Sequence, residues 1–177
     1  GILRPWRQVD DTIVYNQGLM TDSIAQAIIN RRLETKARAG GSFLSASVNQ
    51  KDVSRSADAT FVTVTPLGDD WKAALHDVRA VIADAVSRPP TQEEIDREVA
   101  ELDVDDVLHI FRESKPLFTP AAVLEHTRKL FTGTVKRALF TVQKPGEVSD
   151  QQLHHALAEP VKPDQAIRMA AEAKPVS

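Results

Sequence analysis

The sequence predicts an α+β domain in which an antiparallel sheet packs on a layer of helices. Two segments with strand character, residues 43–49 and 59–65, follow each other closely, and a run of helical segments precedes the next strand candidate. Grouped strands and grouped helices are typical of α+β folds, whereas regular alternation would indicate a parallel sheet. At 177 residues the chain is long enough for one substantial core.

The first 18 residues are predicted to be an extended lead-in to a helix. Apolar residues at helical spacing predict that this helix runs from about Met20 to Arg38, where Gly40 and Gly41 end it. The candidate N-terminal caps are Asp10, Asp11, Thr21 and Asp22.

The two strand segments should form an antiparallel pair. Residues 59–65 are rich in β-branched side chains, and residues 43–49 partly alternate, with Phe43, Ser45 and Ser47 on one face. The polar residues 51–58 between them predict a loop.

Helix start signals then recur along the chain. Asp69 or Asp70 should cap a helix that Pro89 and Pro90 end, with an apolar stripe made of Trp71, Leu75, Val78, Ile82 and Val86. Thr91 and Glu94 match a capping box for a helix to about Asp103.

The remaining segments complete the predicted order. We expect a helix over residues 105–115, a helix beginning at Thr119-Pro120 and stopped by Gly133, and a strand over residues 135–142. A short helix over residues 149–158 should precede a poorly ordered tail or linker. Because three strands are few for so many helices, we also expect a further strand before residue 1.

Composition excludes several classes of function. The net charge is −3 and the pI is about 6.0, so no basic surface for nucleic acid is expected. Cysteine is absent, which excludes disulfides and thiolate metal sites. No apolar run reaches the roughly 18 residues that a membrane span needs. Periplasmic and cytoplasmic locations in a bacterium are both compatible.

The titratable residues suggest capping more strongly than catalysis. His109 and Glu113 would share a helix face, where a solvated polar pair is the simpler interpretation. Glu125-His126 is the closest fragment of a zinc motif, but Ala122 stands where the first histidine would be. Most of the acidic pairs lie at helix starts, where they should cap the helix and stabilise its dipole. Arg31 and Arg32 lie near a helix end and should complement its dipole, unless one of them faces a substrate.

A run of features supports a family resemblance. The helix end Asn30-Arg31-Arg32-Leu33-Glu34, the Gly40-Gly41 turn and the following strand, in this order and spacing, resemble the non-catalytic domain of insulinase-type (pitrilysin-like) zinc peptidases. The resemblance covers most of residues 19–145, leaving residues 146–177 as a short helix and tail or linker. The family's H-x-x-E-H motif is absent, and the helical stretch around Val104 is shorter than usual.

The resemblance implies a non-catalytic domain that closes one wall of a substrate chamber and binds extended peptide. A sister domain would supply zinc, this chain would need no cofactor, and an exposed edge strand would allow it to pair with another copy. Arg38 matches an arginine that contacts substrate in some family domains, and Phe43 or Leu44 takes the place of its tyrosine partner. Phenylalanine lacks the hydroxyl, so Arg38 and Phe43 are expected to contact substrate without stabilising a transition state.

Two alternatives remain open from the sequence. The chain could be a non-enzymatic assembly subunit or scaffold of the same fold. It could also be an unrelated α+β ligand-binding domain, which would require a closed apolar pocket within this chain.

Overall fold

The computed structural model describes residues 1–102, 113–144 and 146–168, and it confirms the α+β class with an antiparallel sheet. Within these residues the four strands are arranged in the order β2-β3-β1-β4, and each neighbouring pair is antiparallel. The strands are β1 (Ile2–Pro5), β2 (Phe43–Val53), β3 (Ala57–Pro66) and β4 (Val135–Lys136).

The helices form the second layer. Among the described residues they include α1 (Ile13–Arg38), α2 (Trp71–Ser87), α3 (Gln92–Leu102), α4 (Pro120–Leu130) and α5 (Asp150–Ala158), with a short 3₁₀ helix at Lys115–Leu117. Most of the helix predicted over residues 105–115 lies outside the described residues, as do Val104 and His109. None of the described helices has the length and apolar character needed to cross a bilayer.

The first strand corrects the predicted lead-in. Ile2–Pro5 pairs with β3 on one side and β4 on the other, so a strand lies within the segment that was predicted to be a lead-in. Gly133 follows α4 and passes very close to β1: a Cβ atom there would lie 2.6 Å from the carbonyl oxygen of Leu3. The glycine is therefore needed for this approach rather than as the helix stop.

Helix α1 ends where the sequence predicts and begins earlier. Arg38 is its last residue, and Gly40 follows with a φ of +90°, a conformation that favours glycine. Its start is at Ile13, because the hydroxyl of Thr12 accepts a hydrogen bond from the N–H of Tyr15. Thr12 was not among the four predicted caps.

Strands β2 and β3 form the predicted pair as a long hairpin. Only residues 54–56 form the turn, in which Ser54 and Arg55 have positive φ, so the predicted eight-residue loop was too long. A register shift between Phe43 and Ser45 breaks the alternation of β2. Phe43 and Val48 are consequently both buried, and Phe43 does not share a face with Ser45 and Ser47.

The predicted helix caps are largely confirmed. Thr91 and Glu94 exchange both capping-box hydrogen bonds, Thr119 accepts from the N–H of Ala122, and Asp70 accepts from the N–H of Ala73. Helix α5 begins at Asp150 under a capping box made by Ser149 and Gln152.

Three further predictions need correction. The strand expected over residues 135–142 is limited to Val135–Lys136. The buried face of α2 includes Ala74, Val78, Val81 and Ala85 rather than the whole predicted stripe. The tail is packed as far as Arg168, since Ile167 is buried and Asp164 bonds the backbone of Ala80.

Candidate peptide-binding surface

The two faces of the β2–β3 hairpin differ in how far the helices cover them. One face carries Val48 and the half-buried Val62 and Val64, which pack against the core residues of α1 and α2. The opposite face, here called the outer face, is exposed or half-exposed and carries Ser45, Ser47, Asn49, Phe61, Thr63 and Thr65. This row offers hydroxyl and amide groups beside one aromatic ring, a combination suited to binding.

The free edge of β2 is partly occupied by side chains of α1. The amide of Asn30 donates to the carbonyl of Val48 at 3.0 Å and accepts from its N–H at 2.7 Å. The N–H of Gln50 donates to Gln26 at 2.9 Å. These side chains satisfy backbone groups that another strand would otherwise use, and thereby protect this edge.

The opposite end of the sheet is different. Gly1 and Arg137 exchange two backbone hydrogen bonds, of 2.7 and 2.9 Å, just beyond the paired residues of β4. The chain then continues without strand pairing to the rest of the described residues. Leu139 in this segment is 92% exposed, whereas Phe140 contacts Trp71 with ring centroids 5.1 Å apart.

The structure separates the two candidate substrate contacts. The guanidinium of Arg38 is exposed and pairs with Glu34 one turn earlier in α1. Phe43 is 1% exposed and belongs to the core. A peptide cannot reach Phe43 without disrupting the core, so its assignment as a substrate contact is corrected, whereas Arg38 and its exposed neighbour Leu44 remain accessible.

No group of three or more metal-ligating side chains occurs among the described residues. His126 instead forms a two-residue contact between α4 and α1, with Nδ1 2.6 Å from an oxygen of Asp22. Its neighbour Glu125 pairs with Lys129 at 3.1 Å on the same helix. These contacts connect or support helices.

Among the residues that the sequence analysis singled out, Arg32 differs most from its predicted role. It is 3% exposed and donates two hydrogen bonds of 2.8 Å to the carboxylate of Glu94, plus one of 3.3 Å to Asp84. Arg168 donates to the same Asp84 oxygen at 2.6 Å. The predicted interaction of Arg32 with a helix dipole is therefore replaced by a buried ionic cluster that joins α1, α2, α3 and the tail.

The cluster lowers the pKa of Glu94. Burial alone would raise the pKa of Glu94, but the hydrogen bonds and charge of Arg32, with the N–H of Thr91, hold that pKa below its ordinary value. Nearby, the hydrogen bond and charge of Glu98 raise the pKa of Arg31, so Arg31 stays protonated. We assign the cluster a structural role because its charged groups pair with one another, with only Oδ1 of Asp84 lacking a hydrogen bond among the buried side-chain atoms that the structure describes.

Sequence reasoning could have found only half of this cluster. The Thr91–Glu94 capping box was visible, but nothing in the sequence indicates that Glu94 also binds Arg32, 62 positions away. The available signal was an arginine at a position that the helical spacing of Ile28, Ile29 and Leu33 places near the core.

Comparison of the chain with protein-family models, with curated proteins and with solved structures found no match.

Proposed function

We propose that the chain is a non-catalytic, peptide-binding domain of a zinc-dependent endopeptidase of the insulinase type. It forms one wall of the substrate chamber, and a sister domain supplies the zinc and the activated water. The resemblance around Asn30–Glu34 supports the family, and the uncovered outer face of the β2–β3 hairpin supports the role.

The outer face is the observation that carries the proposal. A sheet with one face packed on helices leaves the other for solvent or for a partner. Here that face presents Ser45, Thr63 and Thr65 beside Phe61, which is 39% exposed. Hydroxyl groups can bond the backbone of many peptides, and an aromatic ring adds apolar contact without strict sequence preference.

The isolated chain should therefore bind peptide without hydrolysing it. The purified protein is incubated with zinc chloride or with EDTA, its zinc content is measured, and fluorescein-labelled casein reports cleavage and binding. We expect binding without stoichiometric zinc and without chelator-sensitive cleavage. One bound zinc per chain together with cleavage that EDTA abolishes would overturn the proposal, as would a lack of casein binding.

A pair of variants locates the binding surface. Phe61→Asp places a charge on the outer face and should weaken casein binding about tenfold, equivalent to about 1.4 kcal/mol. Val14→Ser is the matched control, because Val14 is 77% exposed on α1, outside the sheet. Equal effects of the two variants would argue against the outer face.

A further inference from the structure

Residues 160–168, here called the strap, follow α5 and pack against helices α1 and α2. The end of α5 from which the strap departs is fixed in place, because Arg79 donates to two carbonyls there at 2.9 and 2.6 Å. Pro160 and Pro163 then restrict the backbone within the strap. The strap is therefore a stiffened segment that begins at a fixed point.

The middle of the strap is attached through one polar residue. The carboxylate of Asp164 accepts a hydrogen bond from Nζ of Lys36 at 2.8 Å, and the N–H of Asp164 donates to the carbonyl of Ala80 at 3.1 Å. Among the nine strap residues, Ile167 is the one that is fully buried. Because the strap buries so little apolar surface, it belongs to the part of the structure that opens most easily.

The end of the strap completes the buried ionic cluster. Arg168 donates to Oδ2 of Asp84 at 2.6 Å and to two backbone carbonyls just after α2. Oδ2 also accepts from Arg32 at 3.3 Å, whereas Oδ1 lacks a hydrogen bond within the described part of the chain. If the strap left, the buried carboxylate of Asp84 would keep one long hydrogen bond, which is costly unless another cation takes the place of Arg168.

Arg88 is placed to be that cation. Its Nε lies 3.8 Å from Oδ1 of Asp84, one turn earlier in α2, and its side chain is 44% exposed and thus has room to move. A distance of 3.8 Å is too long for a hydrogen bond, but a movement of about 1 Å would form one. While the strap is closed, Arg168 binds the same carboxylate, and its like charge opposes a closer approach of Arg88.

Lys36 also has a substitute partner. Its Nζ lies 3.8 Å from Oδ1 of Asp77, whose other oxygen accepts from the N–H of Ser42 at 2.9 Å. The bond from Ser42 keeps Asp77 in position whether or not Asp164 is present. Both polar attachments of the strap therefore leave behind a charged group with a second partner about 1 Å beyond hydrogen-bond distance.

We propose that the strap opens and closes reversibly while the rest of the domain stays folded, and that Arg88 replaces Arg168 on Asp84 when the strap opens. In the same step Lys36 exchanges its partner in the strap for Asp77. The charged groups remain paired in both forms, as a two-state switch requires. This switch depends neither on peptide binding nor on zinc.

Amide hydrogen exchange of the unmodified protein measures the opening. The N–H of Asp164 reports the strap, and the N–H of Val81 in the middle of α2 reports the whole domain. After correction for intrinsic rates, Asp164 should exchange at least about 100-fold faster than Val81 and still be protected relative to an unfolded chain. Equal protection of the two amides, or no protection of Asp164, would overturn the proposal.

Two arginine variants test the exchange of partners, and they should act in opposite directions. Arg168→Met weakens the closed form and should speed the exchange of Asp164 about tenfold, whereas Arg88→Met weakens the open form and should slow it about tenfold. Arg55→Met, in the exposed hairpin turn, is the matched control and should leave the rate unchanged. Unchanged or faster exchange in Arg88→Met would show that Arg88 is no substitute and would overturn the proposal.

A single thiol gives a second readout. The chain has no cysteine, so Ile167→Cys introduces one buried thiol that reacts with DTNB when the strap opens. Its reaction should accelerate less with urea than that of Val81→Cys, because opening the strap exposes less surface than unfolding the domain. Equal urea dependence of the two thiols would mean that the strap opens only on global unfolding, which would overturn the inference.

Discussion

Removing Arg32 should destabilise the protein far more than removing a surface arginine. The Arg32→Met variant retains most of the side-chain volume but deletes three hydrogen bonds, two to Glu94 and one to Asp84. Asp84 keeps its bond from Arg168, whereas Glu94, which is 6% exposed, keeps only its contacts with Thr91. The variant therefore leaves a buried carboxylate without its cation.

The magnitude follows from that uncompensated charge. Breaking a buried ion pair by removing one partner costs about 3–5 kcal/mol of unfolding free energy. For a chain of this size each kcal/mol lowers the melting temperature by about 2–4 °C, which gives a shift of roughly 6–20 °C. Arg38→Met is the control, because its exposed pair with Glu34 should contribute less than about 1 kcal/mol.

Urea denaturation at neutral pH measures the effect, and a double-mutant cycle assigns it to the pair. Glu94→Gln keeps an oxygen for the capping box, and the double variant with Arg32→Met should be more stable than the sum of single losses predicts, by about 1–3 kcal/mol. A loss below about 1 kcal/mol for Arg32→Met, or strictly additive losses, would refute the reasoning.

Three further predictions concern other parts of the fold. The folded state lowers the pKa of Glu94. The ionised carboxylate therefore stabilises the fold above the unfolded pKa of about 4.3, and this stabilisation is lost as the pH falls through the folded pKa. Urea denaturation at several pH values should show that Glu94→Gln makes the unfolding free energy depend less on pH. Asn30→Ala removes both bonds to Val48, so we expect a loss of about 1–3 kcal/mol and concentration-dependent association in sedimentation; a monomer of unchanged stability would contradict this. Gly133→Ala forces a Cβ against the carbonyl of Leu3 and should cost about 1–3 kcal/mol in urea, whereas unchanged stability would disprove the close approach.

Local signals allowed much of the helical layer to be predicted. Thr91 with Glu94, Thr119 with Pro120, and Gly40 each act within a few residues of their own position, so the sequence contains the whole signal. The hairpin strands were predictable for the same reason, since β-branched residues concentrate in β3.

Long-range pairing could not be predicted from the same patterns. Strand β1 has four residues and ends in Pro5, too short to show alternation, and its place in the sheet depends on partners far away in sequence. The register shift that buries Phe43 reverses the face assigned by simple alternation, which explains why the candidate contact made by Phe43 was not supported.

The candidate site was predictable only in part. Arg38 is exposed, as a substrate contact must be, but its proposed partner is in the core. The place of β1 in the sheet depends on two registers read together, that of β1 with β3 and that of Gly1 with Arg137. Neither register is encoded in the composition of a single segment.

The central position of β1 also affects the order in which the chain can fold during synthesis. The bond between Gly1 and Arg137 joins residues 136 positions apart. At about 5–20 residues per second, a ribosome needs roughly 7–27 s to make the residues between them. Throughout that interval β1 has at most one of its two neighbours, so an incomplete sheet persists while the chain emerges, and a chaperone that holds extended segments would find its target there.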